Sequence, residues 1–169
     1  MNPSGVGQLL GRVEKTLSSI GLVVACVALL ASLVMVVIGV VGRYVLRVGV
    51  IFVDEYVGYG LVIMAFMALS STLTAGKHIR IDTVVSRLPQ KVQAWLEAVT
   101  AAIGLGISVL VTLQSLQRVI MSIRGGETSV SPLETPLYVP QLFIPVGFAL
   151  LSFTLVVYVI GKFRIALQK

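Results

Sequence analysis

The stretch TLSSIGLVVACVALLASLVMVVIGVVG, residues 16–42, holds 27 residues without one Asp, Glu, Lys, Arg or His, and it is bounded by Lys15 and Arg43. At 1.5 Å per residue a helix of that length measures about 40 Å, more than the ~30 Å hydrocarbon core of a bilayer. Polar and apolar residues do not alternate along it, which points to a membrane-crossing helix and not to a barrel strand. Three further charge-free runs follow: 21 residues between Glu55 and Lys77, 20 between Glu97 and Arg118, and 27 between Glu134 and Lys162. In a chain of 169 residues that is 57% hydrophobic and 12% charged, this is the composition of a protein whose solvent is partly lipid. The expected fold is all-α and integral to the membrane, a single domain over 1–169 with spans near 17–42, 56–76, 96–118 and 137–161.

Arg12 and Lys15 ahead of an apolar run resemble the start of a secretion signal. The run is about twice as long as a signal h-region, so it reads as a retained span. The segment VVAC, residues 23–26, resembles a lipoprotein cleavage box, but apolar residues continue to Gly42 where a polar tether is expected. Cys26 therefore reads as a small packing residue, and a single cysteine allows no internal disulfide.

The net charge of +6 is distributed unevenly. Nine of the thirteen basic residues fall in the two tails (Arg12, Lys15, Lys162, Arg164, Lys169) and in the middle loop (Lys77, Arg80, Arg87, Lys91). Arg43, Arg47, Arg118 and Arg124 occupy the other two loops. By the positive-inside rule, the termini and the middle loop are cytoplasmic. The basic excess is an orientation signal and gives no reason to expect a nucleic-acid partner.

The middle loop contains GKHIRIDTVVSRLP, residues 76–89. Ile81, Val84, Val85 and Leu88 recur at helical spacing, opposite Asp82, Thr83, Ser86 and Arg87. The pattern predicts an amphipathic helix on the cytoplasmic membrane surface, with His78 and Arg80 at headgroup level and Trp95 as an aromatic anchor at the end of an interfacial segment spanning 78–95. His78 lacks a second ligand for a metal and cannot supply paired axial ligands to a haem, so its role is interfacial and no cofactor is expected.

No ionisable residue lies inside the four runs, which argues against a self-sufficient proton antiporter. Ser70, Ser71, Thr72 and Thr74 could serve a sodium ion, but hydroxyls bonded back to their own helix are the commoner use of such residues. Ala98, Ala102 and Gly106 form a small-residue stripe on span three, suited to close helix contact. Asp54 and Glu55 open span two, where a helix N-terminus favours negative charge. No nucleophile or metal cluster accompanies them, so capping and partner contact are expected of them and catalysis is not.

The order GRYVLR, FVDEY and GKHIRIDTVVSRLP, followed by the proline-rich entry to span four (Pro140, Pro145, Gly147), resembles the small membrane subunit of TRAP (tripartite ATP-independent periplasmic) transporters. The most recognisable part is Gly76, His78, Ile79, Arg80, Ile81 and Asp82. Family members often carry a tryptophan ahead of the acidic pair, where this chain has Phe52, Asp54 and Glu55. The resemblance implies a large membrane subunit that carries substrate and coupling ion, as a rule sodium, and a periplasmic substrate-binding protein that delivers an organic acid. It implies for this chain a scaffold in a bacterial or archaeal cytoplasmic membrane. External charges at Arg43, Arg47, Asp54, Glu55, Arg118, Arg124 and Glu127 would then help dock the binding protein. A self-contained homodimeric carrier and a non-transport membrane scaffold stay compatible with the residues alone.

Overall fold

The computed structural model of the chain describes residues 3–74 and 90–167. Among these residues it forms six helices: α1 Pro3–Tyr44, α2 Ile51–Met67, α3 Leu69–Thr74, α4 Gln90–Gly125, α5 Tyr138–Gln141 and α6 Phe143–Leu167. Four segments are long and apolar enough to cross a membrane: Gly11–Tyr44, Ile51–Thr74, Val99–Gly125 and Tyr138–Val159. The second joins α2 to α3 and the fourth joins α5 to α6, so the expected all-α, four-span architecture is the one found. Of the expected interfacial segment, residues 78–89 lie outside the described residues, and 90–95 open the long helix α4.

Three spans, α1, α2–α3 and α6, pack on one another, and α4 is added on α6. α1 pairs with α2, α4 pairs with α6, and α6 joins the two pairs by packing on α2 and α3 and along the flank of α1. Among the described residues α4 packs on α6 and α5 and makes no substantial contact with α1 or α2. The outer faces of α1 and α4 are accordingly bare and apolar, as at Val23, Leu30, Val37, Ile103, Leu110 and Met121. In lipid this is no defect, because acyl chains solvate such faces.

Helix association inside a bilayer rests on close packing and hydrogen bonds, since lipid tails are as apolar as leucine. The α1–α2 seam follows that rule. Ser18, Gly21, Ala25, Ser32, Gly39 and Gly42 are its buried α1 residues, with Ala28 and Met35 half-buried between them. These eight positions alternate steps of three, four, three and four, the seven-residue repeat of a left-handed helix pair. One antiparallel register runs the length of the seam, with Gly42 against Val50, Gly39 against Val53, Ser32 against Gly60 and Gly21 against Met67. It closes with a 2.6 Å hydrogen bond between the Ser18 and Thr74 hydroxyls.

The buried residues of α4 are Ala101, Ser108, Val119 and Ser122, and those of α6 are Pro145, Gly147, Thr154 and Leu155, with Leu155 turned to Gly104 of α4 and Gly147 to Phe66 of α2. Ser152 Oγ donates to Ser108 Oγ at 2.9 Å, and Tyr158 donates to Glu97 at 3.3 Å nearer the end that carries the termini. A side-chain hydrogen bond of this kind contributes on the order of 0.6 kcal/mol in a membrane.

Span two is interrupted at Ala68, whose carbonyl accepts from both Ser71 and Thr72 at 3.1 Å. Two neighbouring helices present glycines to this joint. A Cβ on Gly21 of α1 would fall 2.6 Å from the Met67 carbonyl oxygen, and one on Gly147 of α6 would fall 2.3 Å from that of Phe66. Just beyond, Ser71, Thr72 and Thr74 donate to the carbonyls of Ala68, Leu69 and Ser70 at 3.0, 2.7 and 2.6 Å. Their protons are thus spent on the helix itself, the ordinary use of hydroxyls in a membrane helix.

Candidate docking surface

The loops at the end opposite the termini form an ordered polar cap. α1 reaches it with Arg43 in its last turn and α2 leaves it with Asp54 in its first, each charge placed to suit its helix dipole. Arg43 Nη2 and Asp54 Oδ2 lie 3.5 Å apart. Both side chains are well exposed, so this pair orients more than it stabilises. Between them the chain turns through Arg47 at φ 55°, a left-handed conformation that costs an L-residue about 1–2 kcal/mol.

α4 ends in a Schellman motif. Gly126 takes φ +59°, its N–H reaches the Ile123 carbonyl at 3.4 Å, and the Glu127 N–H reaches that of Ser122 at 3.1 Å. The following loop doubles back on itself through a Thr128–Pro136 bridge, a 2.8 Å bond from Ser129 N–H to the Thr135 carbonyl and a 3.1 Å bond from Leu137 N–H to the Glu127 carbonyl. Arg118 Nη2 contacts Glu127 Oε2 at 3.0 Å, fastening the loop to α4.

Glu55 ties the loop to span two. Its two carboxylate oxygens accept hydrogen bonds from the hydroxyls of Tyr59, one turn further along α2, and of Ser131 in the loop. Hydrogen bonds to an ionised acceptor are about twice as strong as neutral ones. The loop tip beyond this tether carries Val130, which is fully exposed, together with exposed Leu133 and Glu134, the latter at φ 46°. Arg47 and Arg124 are exposed and have no ion-pair partner among the described residues.

All seven expected docking residues, Arg43, Arg47, Asp54, Glu55, Arg118, Arg124 and Glu127, therefore lie at one end of the molecule, in two groups joined through Glu55 and Ser131. Four of them are occupied internally, Arg43 with Asp54 and Arg118 with Glu127. Glu55 is a tether inside the cap. Sequence reasoning missed Ser131 and Tyr59, its partners. The Tyr59 contact was open to inspection as an i, i+4 pair, whereas Ser131 is 76 residues away and nothing local announces it.

The remaining site residues are placed less fully. His78, Arg80, Ile81, Val84, Val85 and Leu88 lie outside the described residues, and Trp95 and Ala98 are described only as part of the α4 helix. Ala102 and Gly106 are exposed, on the side of α4 away from its seam with α6, and a Cβ on Gly106 would meet nothing within 4 Å. No group of three His, Cys, Asp or Glu able to hold a metal occurs among the described residues.

The arrangement defines a multi-pass helical membrane protein with lipid-facing flanks and one ordered, charged cap. Residues 32–165 match the family described as tripartite ATP-independent periplasmic transporters, DctQ component, and the chain belongs to that family, a transporter component. It is also similar to the isethionate TRAP transporter permease protein DctMQ of Oleidesulfovibrio alaskensis, with 27% identity over 117 residues. That alignment covers 68% of this chain and 18% of the relative, so the chain spans less than a fifth of the relative's length. No solved structure matches it.

Proposed function

We propose that this chain is the static small subunit of a TRAP transporter, supporting a large transporting subunit and helping to dock a periplasmic binding protein during ion-coupled uptake of an organic acid. The orientation that goes with this role has both termini in the cytoplasm and the charged cap outside, in keeping with the distribution of lysine and arginine. The relative's composite name, DctMQ, and its much greater length fit a small component joined to a large one. Isethionate, in that relative's name, is a small organic anion.

The observation that carries the reading is the cap itself. It is rigidly tethered through Glu55, and it presents Arg47, Arg124 and Val130 outward without internal partners among the described residues. Exposed charge of this kind suits a transient, electrostatically guided encounter. The bare apolar face of α4, including Ala102 and Gly106, is available to the large subunit, where small residues permit close approach.

Reversing Arg47 and Arg124 together to Glu should lower binding-protein-dependent uptake and flatten its salt dependence, while the two membrane subunits still co-purify. Unchanged uptake kinetics at normal expression would reduce these arginines to headgroup anchors and remove the docking role.

A further inference from the structure

At the end carrying the termini, a cleft of about 490 Å³ opens between the start of α1 and the end of α3. Gly11, Lys15, Ser18, Ser19 and Leu22 line it from α1, and Ser71 and Thr74 line it from α3. Four hydroxyls and one ammonium in a single cleft of a chain this apolar call for a chemical account.

The hydroxyls of the cleft are already hydrogen-bonded as donors. Ser19 donates to the Lys15 carbonyl at 2.8 Å, Ser71 to that of Ala68 at 3.0 Å and Thr74 to that of Ser70 at 2.6 Å. With the Thr74 proton committed, the 2.6 Å contact between Ser18 and Thr74 has Ser18 as donor. All four hydroxyl protons are therefore spent, and what the hydroxyls offer a ligand is oxygen lone pairs. Lys15 is exposed and supplies the lining's free donors. The cleft is thus complementary to a group that joins an anion to a hydrogen-bond donor.

Its position narrows the class further. Lys15 is the last charge before the 27-residue apolar run, which sets it at the boundary between hydrocarbon and headgroups. Below it, Ser19, Leu22, Cys26 and Leu29 continue one exposed stripe of α1 toward the middle of the membrane. A ligand seated on Lys15 has an apolar track directly beneath it.

We propose that this cleft binds a phospholipid headgroup, with the phosphate on the Lys15 ammonium and a donor-bearing head, glycerol or ethanolamine, on the hydroxyl oxygens of Ser19, Ser71 and Thr74. One acyl chain lies along Leu22 and Leu29. Choline, which carries no N–H or O–H donor, is disfavoured. Phosphate esters in solution share the headgroup chemistry but not the apolar track, and this separates the two sources experimentally.

The test uses the full chain, purified in detergent, with native mass spectrometry of lipid retained from added phosphatidylglycerol, phosphatidylethanolamine or phosphatidylcholine. The expected result is preferential retention of the first two lipids over phosphatidylcholine. Lys15→Gln should lower that retention about fivefold, the factor that one lysine contributes at a lipid surface, and Lys15→Arg should preserve it. Arg12→Gln removes an equal charge from outside the cleft and should have little effect. Equal losses in Lys15→Gln and Arg12→Gln would show diffuse attraction and overturn the proposal, as would equal retention of all three lipids. Displacement of the lipid by millimolar glycerophosphoglycerol would overturn the lipid assignment in favour of a soluble phosphate ester.

Discussion

Gly147→Ala is the sharpest probe of how this protein holds together. The added methyl would sit 2.3 Å from the Phe66 carbonyl oxygen and 2.7 Å from its carbon, both backbone atoms that cannot rotate away. Relief to an ordinary contact of about 3.4 Å requires α6 and α2 to separate by roughly 1.1 Å. A gap of 0.5–1 Å forfeits a quarter to a half of the dispersion energy of every atom pair across it. The loss extends to the neighbouring contact between the Phe66 and Phe148 rings, whose centroids are 5.6 Å apart. Overpacking of this kind costs about 1–3 kcal/mol, and the upper part of that range applies because the obstacle is main chain. Alanine returns up to ~1 kcal/mol of helix propensity, so a net loss of about 2 kcal/mol is expected. Gly106→Ala is the control, since nothing lies within 4 Å of its Cβ and the same propensity gain is unopposed. Reversible unfolding in mixed micelles, followed by far-ultraviolet circular dichroism, measures both. A Gly147→Ala variant as stable as the parent, or a Gly106→Ala variant equally destabilised, would refute close backbone approach as the basis of the α2–α6 contact.

Three further outcomes are expected. In a background lacking Cys26, an impermeant thiol reagent applied from outside should label Glu127→Cys and spare Arg87→Cys; the reverse pattern would invert the topology. Glu55→Gln, which weakens the acceptor of Tyr59 and Ser131, should raise amide hydrogen exchange across residues 128–136 while leaving α4 protected, and unaltered exchange would mean that the tether is dispensable. Arg47→Gly, which relieves a left-handed φ, should raise stability by about 1 kcal/mol in the same micelle assay yet reduce binding-protein-dependent uptake; a loss of stability would show that Arg47 is held there by contacts its φ does not reveal.

The four spans were legible because burial in lipid leaves a one-dimensional mark: long stretches without charge, read without any knowledge of tertiary contacts. The face each span turns inward was less legible. On span three the four-residue stripe of Ala98, Ala102 and Gly106 was visible, but four residues of helix advance 400°, so such a stripe drifts by 40° at each step. The buried face of α4 within this chain carries Ala101, Ser108, Val119 and Ser122, spaced seven, eleven and three residues apart. The corresponding signal on span one, Ser18 through Gly42 at alternating threes and fours, lies in plain sight, yet a hydropathy reading weighs glycine and valine by transfer energy and discards shape. The tether from Glu55 to Ser131 had no local signature, because its two ends lie 76 residues apart.

The glycine and serine seams also carry a thermal consequence. When a soluble protein unfolds, water orders around newly exposed apolar groups, and the resulting heat-capacity change bends stability into a dome with a cold side and a hot side. Separating α1 from α2 within a bilayer exposes their flanks to acyl chains instead, so that contribution is missing from the step. The enthalpy of parting the helices should then stay nearly constant with temperature, and their affinity should rise steadily on cooling. A contact built this way has no cold-denaturation limb, and chilling tightens it until the lipid itself changes phase.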